Sequence, residues 1–583
     1  MLSPRKLVRR FAAGLCVAGL VLALRVVPDG APSASRATFA APQAATASSA
    51  VPASVPSAVR AAVPSPAVVA ASQLSAAPNS PAPPASTGCS ASACHGDPVA
   101  GEVRDWRSAA TAWSLFDPHR RAFAVLYSPR SVEIYDNLQR AEQEGAPTSM
   151  LRASQGTADT AASAAIEGPD PAAYARFLAE RCIGCHATSQ KPEAPIETLA
   201  GVTCGSCHPS DSAEWTAGHY LSTFPAKSTV DGASPAARGD LCSSCHLGPK
   251  RASGRVFDVN HDLIAAGHPR MLFELDSLLA NYPKHWDERA VASKRQTAEG
   301  ARFQHLDQWF AGQVAAARRT LDQLEHRAAL ASPDFAQFAC GDCHHALSPP
   351  TGPRPRAARA ASRKGSPRPS LESVETLLSG PIAEPTVGAA AASSGGVSTA
   401  DVLESVRRQL ERFQPFDDAG RAAIAKLRER VEAVANRGPA TVADHRAVAR
   451  WLADQLREPR RIDSWDAAVE RLLAVDAFRA DLPSAASPTA DSPPAKAAVA
   501  ALNEALERLR AALSDPALFG QNGATSVSTS VPPLIPTLIP TLYDTPAAFD
   551  PSVIEPLLRA VAQRLDDPAF PLPAFPNPEG SRP

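Results

Sequence analysis

The chain has 583 residues, a formal net charge of −1, 56 prolines and only 5% aromatic residues. Near-neutral charge gives no field to attract nucleic acid or an acidic partner, and no motif points to nucleic acid. The length allows about three or four domains, but proline- and alanine-rich stretches cannot bury enough apolar surface to offset chain entropy, and so few aromatics make a modest core unless something else fills it.

The N-terminus reads as an export signal over residues 1–27. Arg5, Lys6, Arg9 and Arg10 precede a fourteen-residue apolar run, Phe11 to Leu24, that Arg25 ends. The run is short for a membrane span and of the right length for a signal segment; an uncleaved anchor is the alternative. Cys16, inside the run, is read as a small apolar residue. An export signal places the chain in the periplasm or otherwise outside the cytoplasm, with membrane contact only through such an anchor. Residues 28–86 are Ala, Pro, Ser and Val with almost no charge, the composition of a disordered linker.

Between residues 87 and 347 lie the ten remaining cysteines and thirteen of the fourteen histidines. They form five repeats of one pattern: Cys89, Cys94 and His95; Cys182, Cys185 and His186; Cys204, Cys207 and His208; Cys242, Cys245 and His246; Cys340, Cys343 and His344. Four are C-x-x-C-H, the attachment signature of c-type haem, and the first has four residues between its cysteines. Each cysteine of such a pair forms a thioether with one haem vinyl group, so both sulfurs must reach one edge of the porphyrin. The following histidine then ligates the iron. Disulfides, zinc sites and thioredoxin-like motifs also use paired cysteines, but none requires histidine directly after the second. At 14 histidines in 583 residues, five such matches by chance are about one in a hundred million. Five covalent haems are therefore expected, and as large apolar plates they would supply the missing core.

Five proximal histidines leave nine others. His119, His219, His261 and His268 are the expected distal ligands; His285 is an even candidate, and His305, His326 and His345 are weaker ones. His445 reads as structural or solvated.

Residues 348–398 are rich in Pro, Gly, Ser and Ala, with a basic run from Arg354 to Arg368, and read as a disordered linker. A docking strip for an acidic redox partner is the sharper reading. Residues 399–570 carry helical periodicity: Val402, Leu403, Val406, Leu410 and Phe413 share one face, as do Val448, Trp451, Leu452 and Leu456. Ser464 is a candidate cap for a helix carrying Trp465, Val469, Leu472 and Leu473. Asp550 and Pro551 open a last helix whose inner face is Ile554, Leu557, Leu558, Val561 and Leu565. Residues 571–583 are a tail. The expected fold class is mainly α with little sheet: a haem-organised domain, a C-terminal helical domain and two linkers.

The region 87–347 resembles the cytochrome c-554 family of multihaem cytochromes. The residues that carry the likeness are Cys89 to Gly96, Asp117 to Ala122, Gly201 to His208, and His261 to Pro269. They span under half of the chain. The resemblance implies a helical scaffold, closely stacked haems, histidine at most distal positions, and electron transfer between redox partner proteins. The family's namesake carries four haems, against five motifs here. The alternative is a multihaem oxidoreductase that reduces or oxidises a small nitrogen or sulfur species at one open iron. Against the lysine-ligated active haem of ammonia-forming nitrite reductases, all five motifs here end in histidine. A third reading makes the C-terminal helices a protein-docking module.

Overall fold

Short polar caps in front of prolines start several of the helices. Asp170 accepts hydrogen bonds from the backbone N–H groups of Ala172 and Ala173 at 3.2 and 3.3 Å ahead of Pro171. Ser234 and Ser492 do the same ahead of Pro235 and Pro493, accepting from Ala237 and Ala495 at 3.4 and 3.3 Å. Proline at the first helical position loses no hydrogen bond, because that N–H has no partner inside the helix. The computed structural model describes residues 91, 95–97, 106–143, 169–188, 201–208, 234–248, 258–269, 271, 273–285, 304–328, 334–338, 371–379, 398–412, 414–437, 445–457, 464–482, 492–514 and 551–569. The expected signal, the 28–86 linker and the tail lie outside them.

Among the described residues the fold is mainly α, with no strand. The helices are α1 (Ala109–Phe116), α2 (Pro129–Gln143), α3 (Pro171–Arg181), the single turns α4 (Ile183–His186) and α5 (Cys204–Cys207), α6 (Pro235–His246), α7 (His261–Ala265) and α8 (Leu275–Asn281). There follow α9 (Gln304–Arg327), α10 (Glu372–Ser379), α11 (Thr399–Glu411), α12 (Asp418–Arg437), α13 (His445–Arg457), α14 (Trp465–Ala480), α15 (Pro493–Leu513) and α16 (Pro551–Leu565). Among the described residues no helix is long and apolar enough to cross a membrane.

The largest apolar core runs from Leu306 in α9 to Leu565 in α16. The faces expected from periodicity enter it. Val402, Leu403, Val406 and Leu410 are buried, as are Val448, Leu452 and Leu456, the four apolar residues of α14, and Ile554, Leu558, Val561 and Leu565. Phe413 lies outside the described residues. Ser464 caps α14, its hydroxyl accepting from the Ala467 N–H at 3.2 Å.

The stretch 348–398 departs from the expected disordered linker. Glu372–Ser379 is a helix, and Val374, Thr376, Leu377 and Leu378 are buried. It packs on α9 and α12. The buried Arg471 of α14 holds it, with its guanidinium 2.8 Å from the Thr376 hydroxyl and 2.5 Å from the Glu372 carboxylate. An arginine so buried needs those partners to offset its desolvation.

Helix α9 also joins this core to the cysteine-rich part. It packs along α6, where Gly239 allows close approach: a Cβ there would stand 2.9 Å from the Ala311 carbonyl oxygen. Arg318 pairs with Glu432 of α12 at 2.6 Å and Asp240 of α6 at 3.5 Å. Gln323 donates to the Leu247 carbonyl at 2.7 Å. A second cluster joins Leu126 to α2, α3 and Ile183. A third sets Phe273, Leu275 and Leu279 against Ala311, Ala315 and Ala316 of α9.

Candidate functional site

Three of the five cysteine–histidine motifs are described in full, and each sits on a helical turn. Cys182, Cys185 and His186 follow α3 on α4; Cys204 and Cys207 form α5, with His208 next; Cys242, Cys245 and His246 end α6. Residues three apart share a helix face, so a turn presents both thiols of a C-x-x-C pair to one side. All six cysteines are half-buried, and among the described residues none forms a disulfide. Cys89, Cys94, His219, Cys340, Cys343 and His344 lie outside the described residues. His95 is described, and its carbonyl accepts from the Ala110 N–H of α1 at 2.9 Å.

The turns are held by backbone bonds over long sequence distances. The Thr188 N–H donates to the Gly201 carbonyl at 2.8 Å, and the Thr203 N–H donates to the Thr188 hydroxyl at 2.7 Å, tying α4 to α5. The Trp113 indole donates to the Val202 carbonyl at 3.1 Å. Gly201 has φ +82°, and a Cβ there would press on the Arg120 carbonyl oxygen at 3.0 Å. The segment entering α5 thus lies on the backbone that carries His119. On the other side, Arg130 and Asn137 of α2 donate to the carbonyls of Gly267 and Ala266 at 2.8 and 3.0 Å, fixing the turn before His268.

These restraints bring the histidines together in pairs. His186 faces His268 with ring centroids 6.3 Å apart. His246 faces His119 at 6.2 Å, and His208 faces His285 at 6.2 Å. Each pair joins one motif histidine to one from elsewhere in the chain. The ring planes cross at 89°, 85° and 72° respectively. Of the expected distal ligands, His119 and His268 are so placed. His261 instead packs on Phe335 at 5.5 Å, and its backbone N–H donates to the Asp334 carboxylate at 3.1 Å, on the segment that leads to Cys340. His285, only an even candidate from the sequence, is the partner of His208. His305 is not in a pair: its Nδ1 lies 2.9 Å from Asp276.

Burial sets the protonation of these rings. It pushes His246 down to about 4, with His119 adding repulsion. It pushes His268 and His285 down to about 4 as well. It lowers His186, partly offset by the Ala122 carbonyl bonded to its Nδ1 at 2.7 Å. Neutral imidazole is the form that ligates a metal. His119 differs. Burial acts to lower it, but the hydrogen bond and charge of Asp117 prevail and raise it. Asp117 in turn is held below the usual carboxylate range, because the bonds from His119 and Tyr282 outweigh its burial. Sequence reading missed both Asp117 and Tyr282 as site residues. An Asp-Pro-His run carries a capping signal for Asp117; nothing local marks Tyr282.

The motifs adjoin one another out of chain order. The Cys185 thiol hydrogen-bonds Cys245, the largest cause of a Cys245 value pulled down to about 6. Cys207 is raised to about 12 by burial, with Cys242 and Cys245 near enough to add to it. The 242–246 motif therefore borders both the 182–186 and 204–208 motifs. Among the described residues no group of three or more His, Cys, Asp or Glu side chains gathers as a metal cage. The arrangement brings imidazole rings together in twos, each pair including the histidine of one C-x-x-C-H turn. Set against known proteins, the chain matches no family model, no curated relative and no solved structure.

Proposed function

We propose that the chain is an exported multihaem c-type cytochrome, similar to the cytochrome c-554 family, that carries five covalent haems and passes electrons between partner proteins. The three histidine pairs carry this reading. Two imidazoles bound to one metal from opposite sides, each with a bond of about 2 Å, have ring centroids about 6.2 Å apart. The pairs stand at 6.2, 6.2 and 6.3 Å. Imidazoles gathered two at a time would suit an iron whose other ligands come from a porphyrin, rather than a zinc ion that takes four ligands from the protein.

The residues fit such a group in two further respects. Each pair includes the histidine of a C-x-x-C-H turn, the attachment signature of c-type haem, whose cysteines form no disulfide among the described residues. Leu115, Phe116 and Val125, three large apolar side chains left exposed, all lie within six residues of His119, and apolar surface beside a ligand suits a porphyrin face. Haem would supply the one-electron iron couple, while the chain fixes ligand identity, spacing and burial, the levers a protein holds over potential. His261, beside the approach to Cys340, suits the iron of His344.

The test is the haem content of the protein purified after export with cytochrome maturation. Five haems per chain by pyridine haemochrome, with the ten motif cysteines resistant to alkylation, are expected. Alkylatable motif cysteines and no covalent haem would overturn the reading. Carbon monoxide then probes the irons: no spectral change supports pure electron transfer, and a change of about one haem would move the function to small-molecule chemistry.

A further inference from the structure

The Asp117 carboxylate is engaged on both oxygens. Its side chain is 2% exposed. One oxygen accepts from the His119 ring Nδ1 at 2.9 Å and from the His119 backbone N–H at 2.9 Å. The other accepts from the Tyr282 hydroxyl at 2.5 Å. The Tyr282 ring lies 5.9 Å from the His119 ring and 6.1 Å from the His285 ring, between two of the histidine pairs. The His186–His268 pair, and His246 opposite His119, are backed differently. His186 and His268 each place Nδ1 2.7 Å from a backbone carbonyl, of Ala122 and Pro269. His246 Nδ1 is buried without a hydrogen-bond partner among the described residues.

A carboxylate accepts a hydrogen bond about twice as strongly as a neutral carbonyl. Drawing on the Nδ1 proton of a ligating histidine makes its Nε2 a stronger electron donor. A stronger donor stabilises the oxidised iron over the reduced one. The Tyr282 hydroxyl competes for the same carboxylate charge and limits the effect. On the haem reading above, we propose that Asp117 and Tyr282 are positioning residues that act in opposition on the His119–His246 iron, Asp117 lowering its reduction potential and Tyr282 restraining that lowering. The residues of the His119–His246 pair would hold an iron that supplies a one-electron couple, taking an electron from a neighbouring donor and passing it to a neighbouring acceptor with no bond made or broken. Because the 242–246 motif borders the other two described motifs, the tuned centre has two neighbours, and its potential sets the height of the step to each.

The experiment is a spectroelectrochemical titration of the full-length, haem-loaded chain with Asp117→Asn and Tyr282→Phe variants. Haem content is measured first: a wild-type chain without covalent haem refutes the haem reading itself. With haem loaded, Asp117→Asn is expected to shift one component to higher potential, on the order of tenfold in its oxidised-to-reduced ratio, which for a one-electron couple is about 59 mV. Tyr282→Phe is expected to shift the same component the other way. That component is the one whose low-spin signal His119→Ala removes. Titrations that superimpose on wild type, or that move the same way in both variants, would overturn the proposal, since general loosening has no opposite sign.

Discussion

His268 faces His186 with ring centroids 6.3 Å apart and planes 89° apart. When two imidazoles ligate one iron from opposite sides, both planes contain the N–Fe–N axis, so this angle is the torsion between the ligands. Crossed ligand planes leave two iron d orbitals nearly degenerate and yield a strongly anisotropic low-spin signal with one large g value. The other two pairs cross at 85° and 72°. Low-temperature EPR of the oxidised protein is therefore expected to show this signal type for about three of five haems. A spectrum made only of rhombic, parallel-plane signals would rule these pairings out.

The His208–His285 pair predicts the effect of losing a distal ligand. His285→Ala is expected to open one iron, so that the reduced protein binds carbon monoxide at about one haem. His305→Ala is the control, because His305 lies on Asp276 and among the described residues is in no ring pair with a motif histidine. If both variants respond alike, His285 is not the ligand.

The parts of this molecule that were legible in sequence are those whose physics is local. Two cysteines and a histidine within five residues fall on one turn, so the motifs stand out without knowledge of the fold. Caps are equally local: Ser464 was readable from its own position, and it accepts from the Ala467 N–H at 3.2 Å. Faces such as Ile554, Leu558, Val561 and Leu565 recur at helical spacing long enough to register. Glu372–Ser379, at eight residues, is too short to show a period, and it gains burial from α9, α12 and the Arg471 contact. The histidine pairs are long-range. His285 ranked beside other lone histidines because its place depends on the chain leaving α8 through Tyr282, which no spacing rule encodes. Asp117 was read only as part of the Asp117 to Ala122 run, because its place beside His119 depends on Tyr282, which is far away in sequence.

A buried acidic cluster where α8 and α9 begin gives the fold a pH dependence. Glu274 caps α8, accepting from the Asp276 and Ser277 N–H groups at 2.9 and 2.7 Å, and burial lifts it from 4.5 to about 7, with the Asp276 charge adding. Asp481 caps α9, accepting from the His305 and Leu306 N–H groups at 3.1 and 2.7 Å, and burial lifts it from 3.8 to about 7. The hydrogen bond to Asp276 raises His305 above 6.5. For all three groups the folded chain binds protons that the unfolded chain has released. Their contribution is full below the unfolded values and is lost as pH rises through the folded ones. Denaturant melts are expected to show stability falling between about pH 5 and pH 8. Glu274→Gln with Asp481→Asn is expected to flatten that slope; an unchanged slope would remove this cluster as its cause.

Gly239 offers a test by sign. In a helix interior, replacing glycine by alanine stabilises by up to about 1 kcal/mol through propensity alone. Here the added Cβ would meet the Ala311 carbonyl oxygen at 2.9 Å and its carbon at 3.3 Å. Both are backbone atoms of α9, so no rotamer change relieves the contact. The helices must part, and overpacking of this kind costs about 1–3 kcal/mol. Gly239→Ala is therefore expected to destabilise the protein in denaturant melts. If haem is attached at Cys242 and Cys245 as proposed, its spectrum is also expected to change, because those residues end the displaced helix. Gly→Ala stabilisation would mean that α6 and α9 are not in the close contact that holds this motif between its neighbours.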